Sequence, residues 1–137
     1  VSVDVIDPVV FLRDWYLELA LGTPLEGVAI WTLKREPETL PPYLILAEAG
    51  DVRHPAGPAF APARVELSAW HYTDREVATL FRTAIALVHR RHVVLGGIGC
   101  FMARSETGLQ RPFEDPDTGW WRGFGVIDLV LLDQLIT

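Results

Sequence analysis

The stretch from Ala63 to Arg91 constrains the fold more than any other, because within it the hydrophobic period changes from that of a strand to that of a helix with no loop between. From Arg64 to Tyr72 the side chains alternate. Val65, Leu67 and Ala69 fall on one face, and Arg64, Glu66, Ser68, Trp70 and Tyr72 on the other. Thr73, with Glu76 three residues on, forms a capping-box sequence. Val77, Leu80, Phe81, Ala84, Ile85 and Val88 then follow at i, i+3, i+4, i+7 spacing, with Arg75, Thr79, Arg82, Thr83 and Arg90 mostly on the opposite side. A strand that runs at once into an amphipathic helix predicts a sheet covered by that helix. Nothing in the stretch is a catalytic motif.

A length of 137 residues suits a single domain spanning 1–137. Half of the residues are hydrophobic and 22% are charged, which places the chain with ordered globular proteins rather than disordered ones. The formal net charge of −6 argues against a primary role in gripping a phosphate backbone. Cys100 is the only cysteine, so an intramolecular disulfide and a thiolate zinc cage are both excluded. Its place in the apolar run from Ile98 to Met102 predicts a small core residue rather than a nucleophile. No segment approaches the roughly 18 to 20 apolar residues of a membrane helix, and the first residues lack a basic-then-apolar pattern. The expectation is a soluble, unexported protein with no membrane partner.

Asp7 followed by Pro8 predicts a helix start, and Val9, Leu12, Trp15 or Tyr16, and Leu19 give an apolar stripe over residues 8–21, ended by Gly22 and Pro24. Residues 27–33 and 43–47 are rich in strand formers, with Pro37, Pro41 and Pro42 making the connection between them a turn or excursion. Residues 49–63, punctuated by Gly50, Pro55, Gly57, Pro58 and Pro62, have no apolar period and read as a long loop. Residues 93–104 read as one strand, in which Gly96, Gly97 and Gly99 suggest a bulge or a close backbone approach. A second long loop is expected over 105–119, and a last strand over 121–132 with apolar residues on both faces. The predicted fold class is α+β: a mixed, mainly antiparallel sheet of about five strands packed by two helices, in the order α-β-β-β-α-β-β.

Candidate chemistry is sparse. His89 and His92 sit three apart near the end of the second helix, but a zinc site needs a third protein ligand that no motif supplies, and cations at a helix C-terminus complement its dipole. Glu114, Asp115 and Asp117 lie near Arg104, Arg111 and Arg122 in the sequence, a pattern read as a solvated loop with internal ion pairs. The run Gly96-Gly97-Ile98-Gly99 precedes a strand and lacks the lysine of a phosphate loop. With no nucleophile–base set, no enzyme activity, cofactor or metal is predicted. What stands out is an aromatic surplus: Trp70 and Tyr72 on the polar side of their strand, and Trp120, Trp121 and Phe124 around the start of the last one. Such residues are enriched at protein interfaces; the alternative is a second small core under the long loops.

The order of these features resembles the tail terminator proteins of long-tailed bacteriophages. The resemblance covers roughly Pro8 to Leu132. It rests on a short first helix, the Pro41-Pro42-Tyr43-Leu44-Ile45-Leu46 run, a strand with Trp70 entering the Thr73–Glu76 cap, and the Arg111-Pro112 loop before Arg122-Gly123-Phe124. It implies a structural virion protein, assembled in the bacterial host cytoplasm, that forms a homohexameric ring at the head-proximal end of the tail. That ring stops tail-tube polymerisation and offers a surface to the head–tail connector protein. The tail tube protein and the connector are the implied partners, and DNA passes through the lumen without specific binding; the net charge of −6 suits a neutral or acidic lining, for which either Glu114, Asp115 and Asp117 or Glu36 and Glu38 are the candidates. The expected subunit-interface residues are Trp70, Tyr72, Val52, Phe60, Phe113, Trp120 and Trp121. The alternatives are a related head-completion or neck protein, and a small α+β ligand-binding module or enzyme.

Overall fold

The computed structural model of the chain describes residues 7–32, 40–48, 60–95, 98–105 and 111–133, with side chains for all of these except 60–62, 98, 101–105, 132 and 133. Helix α1 spans Pro8–Leu19. Asp7 caps it as its sequence predicts, Oδ1 accepting from the backbone N–H groups of Val9 at 3.0 Å and Val10 at 3.3 Å. The helix stops two residues earlier than expected because Thr23 turns back on it. Both the Thr23 backbone N–H (3.0 Å) and its hydroxyl (2.7 Å) donate to the Ala20 carbonyl, and Gly22 takes the left-handed φ of 76° that this reversal needs.

Strands β1 (Ala29–Thr32), β2 (Tyr43–Glu48) and β3 (Phe60–His71) follow, then helix α2 (Asp74–Val88). The capping box forms: Thr73 Oγ1 accepts from the Glu76 N–H at 3.1 Å and donates to Glu76 Oε1 at 3.0 Å. Strands β4 (Val93–Leu95), β5 (Ile98–Ser105), β6 (Phe113–Glu114) and β7 (Trp121–Asp133) follow α2. They form one sheet in the order β1-β2-β3-β7-β5-β4, with β6 added on β7. Among the described residues only β1 and β2 pair in parallel; every other pair is antiparallel. The protein is therefore α+β, with two helices on a mixed sheet.

Among the described residues the sheet has seven strands rather than about five, for local reasons. The predicted strand over 93–104 is two strands, β4 paired antiparallel to β5 with Leu95 opposite Ile98. A register shift does occur in β5, between Cys100 and Met102. Strand β6 lies within the stretch expected to be loop, and β3 begins at Phe60, inside the expected loop over 49–63. That extension is drawn out by β7, which pairs with β3 from Phe60↔Leu132 to His71↔Trp121. Among the described residues β2 pairs only with Val65 to Trp70, so at Pro62 β3 has a described partner on one side, where a missing N–H is tolerated. Residues 49–59 and 106–110 lie outside the described residues.

Both helices cover one face of the sheet, and the core sits between. Leu44 and Leu46 of β2, Val65, Leu67 and Ala69 of β3, and Ile127, Leu129 and Leu131 of β7 are buried there against Leu12, Tyr16, Val77, Phe81 and Ala84. Cys100 belongs to this core, as expected. Helix α1 lies over β1, β2 and β3, and α2 over β3, β7 and β5. Tyr16 joins the two helices by donating its hydroxyl to the Ala84 carbonyl at 2.8 Å, and burial pushes its phenol well above the ordinary tyrosine range. Gly125 lets α2 approach the sheet. A Cβ there would lie 2.4 Å from Cζ of the buried Phe81 ring.

Candidate functional site

The face of the sheet away from the helices carries a different chemistry. By register it is built from Trp31 of β1, Tyr43 and Ile45 of β2, Arg64, Glu66, Ser68 and Trp70 of β3, and Arg122, Phe124, Val126 and Asp128 of β7. No helix covers it among the described residues. Phe124, Val126 and Val130 are only partly buried, so the apolar second face of β7 is not enclosed by a helix layer as the first face is.

Arg122 is the hub of this face. Its Nη2 donates to Ser68 Oγ at 2.9 Å and reaches Glu66 Oε1 at 3.3 Å. Its guanidinium carbon lies 5.4 Å from the Phe124 ring centroid and 5.7 Å from those of Trp70 and Phe113, within cation–π reach of all three. A planar, weakly hydrated cation suits such a nest in a way that lysine does not. Trp70 in turn stacks on the buried Tyr43 at 6.0 Å, and Trp120 meets Tyr43 edge-on at 6.4 Å. Further along the face Arg64 and Asp128 are paired, Nε to Oδ1 at 2.9 Å and Nη2 to Oδ2 at 3.4 Å. The Nε1 donors of Trp31 and Trp70 and the Nε donor of Arg122 are buried without a hydrogen-bond partner among the described residues. Arginine, tryptophan and tyrosine with little free carboxylate is the composition of an interface centre.

Trp120 is placed by the turn that precedes β7. The Asp115 carboxylate accepts from the Asp117 N–H at 3.4 Å and the Thr118 hydroxyl at 2.9 Å. The Asp115 N–H donates to the Trp120 carbonyl at 2.7 Å, and Gly119, at φ 75°, donates to the Asp115 carbonyl at 2.8 Å. Among the described residues Asp115 holds the turn through these hydrogen bonds, and Arg122 pairs across the sheet with Glu66.

The sequence-predicted interface residues divide. Trp70, Phe113 and Trp120 come together around Tyr43 and Arg122. Tyr72 stands just beyond the end of β3, 47% exposed. Trp121 lies opposite His71 in the register and packs against the helix-side core, because it is offset by one residue from Arg122. Phe60 is the first residue of β3, its side chain outside the described set, and Val52 lies outside the described residues altogether. The importance of Glu66, Ser68 and Arg122 was not visible in sequence, because it depends on the β3–β7 register that sets Trp70 opposite Arg122.

Among the described residues no group of three or more His, Cys, Asp or Glu side chains could hold a metal ion, and no helix is long and apolar enough to cross a membrane. His89 ends α2 through its backbone, its N–H donating to the Ile85 carbonyl at 2.9 Å. The chain matches no protein-family model and no curated protein.

Proposed function

We propose that this chain is a structural assembly subunit, and specifically a tail terminator of a long-tailed phage: a ring at the head-proximal end of the tail tube that ends polymerisation and offers the connector its docking surface. The observation that supports the reading is the sheet face centred on Arg122, where Trp70, Phe113 and Phe124 surround a cation and no described helix covers them. On the ring this face is the surface that docks on the tail tube. Tyr72 and Phe113, each about half exposed, are the residues that lose most exposure on docking.

The test adds the purified protein to polymerising tail-tube protein of the same phage and measures tube lengths by electron microscopy. Capped tubes of limited length, with an extra ring at one end, are expected. Tubes of unlimited length with no added ring would refute the terminator reading, and rings found on connectors but never on tubes would assign the chain to the neck instead.

A second reading, a small-ligand module, is favoured by the convergence of Glu66 and Ser68 on Arg122. An anionic ligand there would have to displace Glu66 from the guanidinium. A rise in melting temperature with a small carboxylate or phosphate, lost in Arg122→Gln, would support that reading over the ring.

A further inference from the structure

Charge is spread unevenly along this chain. Residues 77–105 contain Arg82, Arg90, Arg91 and Arg104 and no carboxylate, whereas residues 1–33 hold five carboxylates against the single cation Arg13, in a molecule of net charge −6. In the fold α1 lies over the β1 end of the sheet and α2 toward the β5 end, on opposite flanks of the helix layer.

The solvent side of α2 is a cationic stripe. Arg75, Thr79, Arg82 and Ala86 succeed one another at intervals of three or four residues on one helix face, and Arg90 lies in the turn just past the helix end, all of them exposed. At 1.5 Å per residue the helical part of the stripe, from Arg75 to Ala86, is about 17 Å long. Arg82, Arg90 and Arg91 make no ion pair among the described residues. The carboxylates nearest the stripe serve the cap: Asp74 accepts from the Arg75 N–H, and Glu76 bonds Thr73 and lies 3.3 Å from His71 Nε2.

The solvent side of α1 is its counterpart. Asp14, Leu17, Glu18 and Leu21 recur at i, i+3, i+4, i+7 and are all exposed, Leu17 by 56% and Leu21 by 80%. Glu18 has no ion-pair partner among the described residues, and Asp14 has only its neighbour Arg13 at 3.4 Å.

We propose that these stripes are the two halves of a head-to-tail contact between copies of this chain, α1 of one subunit lying along α2 of the next. Asp14 and Glu18 face the arginines, while Leu17 and Leu21 cover the low ground at Thr79 and Ala86. The small side chains let the leucines approach, and the opposite charges fix the direction and register of docking. Because the two patches differ and sit on opposite flanks, the contact is heterologous, and it yields a ring where the rotation between neighbours closes. The inference rests on the ring-forming reading above and supplies its lateral interface. A phosphate backbone is the competing occupant of the arginine stripe. It would approach a net negative molecule and leave both exposed leucines uncovered, so the second copy is the better fit.

The test is a charge swap on the full chain. Arg82→Glu/Arg90→Glu and Asp14→Lys/Glu18→Lys change exposed sites only, and melting temperature verifies that both variants fold. By sedimentation, each variant alone should self-associate at least about tenfold more weakly than the wild type. An equimolar mixture should restore assembly, with the two variants alternating in a ring of even subunit number. Variants that assemble alone as the wild type does would overturn the stripe contact while leaving the ring reading intact. A wild type that stays monomeric at high concentration and low salt would overturn both. Binding of duplex DNA that is lost in the arginine variant, with assembly unchanged, would assign the stripe to phosphate instead.

Discussion

At the scale of single residues, two buried contacts decide how the helices seat on the sheet. Gly125 has no room for a side chain, since its Cβ would lie 2.4 Å from the Phe81 ring and that ring is enclosed by core. Gly125→Ala should therefore cost roughly 1–3 kcal/mol through overpacking, read as a lower urea midpoint. Adding Phe81→Leu should recover part of that loss; strictly additive costs would show that the collision is not the cause. The second contact is the Tyr16 hydroxyl on the Ala84 carbonyl. Tyr16→Phe should cost about 0.5–1.5 kcal/mol. It should also change the alkaline limb of stability. The buried phenol titrates above its unfolded value of 10.0, so its contribution is complete below that pH and is lost as pH rises beyond it, where the unfolded chain gives up the proton first. The wild-type melting temperature should fall above about pH 10 more steeply than that of Tyr16→Phe. Parallel curves would mean that Tyr16 does not titrate on unfolding.

At the scale of elements, the helices were legible because their signals are local. Asp7-Pro8 and Thr73 with Glu76 name their own caps, and the i, i+3, i+4 stripes select the buried face. Thr73→Ala should cost about 1 kcal/mol, whereas Thr73→Ser, which keeps the hydroxyl, should cost little. Equal losses in both would move the cause from the cap to the threonine methyl. The end of α2 was less legible. Arg90 sits at φ 57° without being glycine, so nothing in its identity announces the turn. Arg90→Gly should raise stability by a few tenths to about 1 kcal/mol by relieving that conformation, measured by thermal melting. Strands were read in part. Alternation found the long ones, but pairing is set by partners distant in sequence: the extension of β3 to Phe60 and the two residues of β6 exist because β7 is long enough to hold them. The same dependence hid the hub of the uncovered face. Trp70 stood out as an aromatic on a polar side, but Arg122 becomes its neighbour only once the register is known, and a shift of one position sends Trp121 to the other face.

At the scale of the whole molecule, the two layers offer surfaces of different physical character, and that difference can be used to separate their roles. The flanks of the helix layer are marked by charge, basic along α2 and acidic with exposed leucines along α1. The uncovered sheet face is aromatic, with its ion pairs already closed within the subunit, Arg122 on Glu66 and Arg64 on Asp128. Salt screens contacts between exposed charges once their separation exceeds the Debye length, about 10 Å at 0.1 M and about 3 Å at 1 M, but it does not weaken apolar burial. Lateral association should therefore loosen as salt rises, whereas docking through the sheet face should persist. If the helix flanks join subunits and the sheet face meets the tube, Tyr72→Ala/Phe113→Ala should leave a folded protein that still forms salt-sensitive rings. Those rings should no longer limit tube length. The two half-exposed side chains can be truncated with little loss of core, so the melting temperature should stay close to that of the wild type. Sedimentation across a salt series, paired with tube lengths from electron microscopy, reads both properties on the same preparation. Loss of the ring together with loss of capping would place the sheet face between neighbouring subunits instead, and the division of labour between the layers would have to be abandoned.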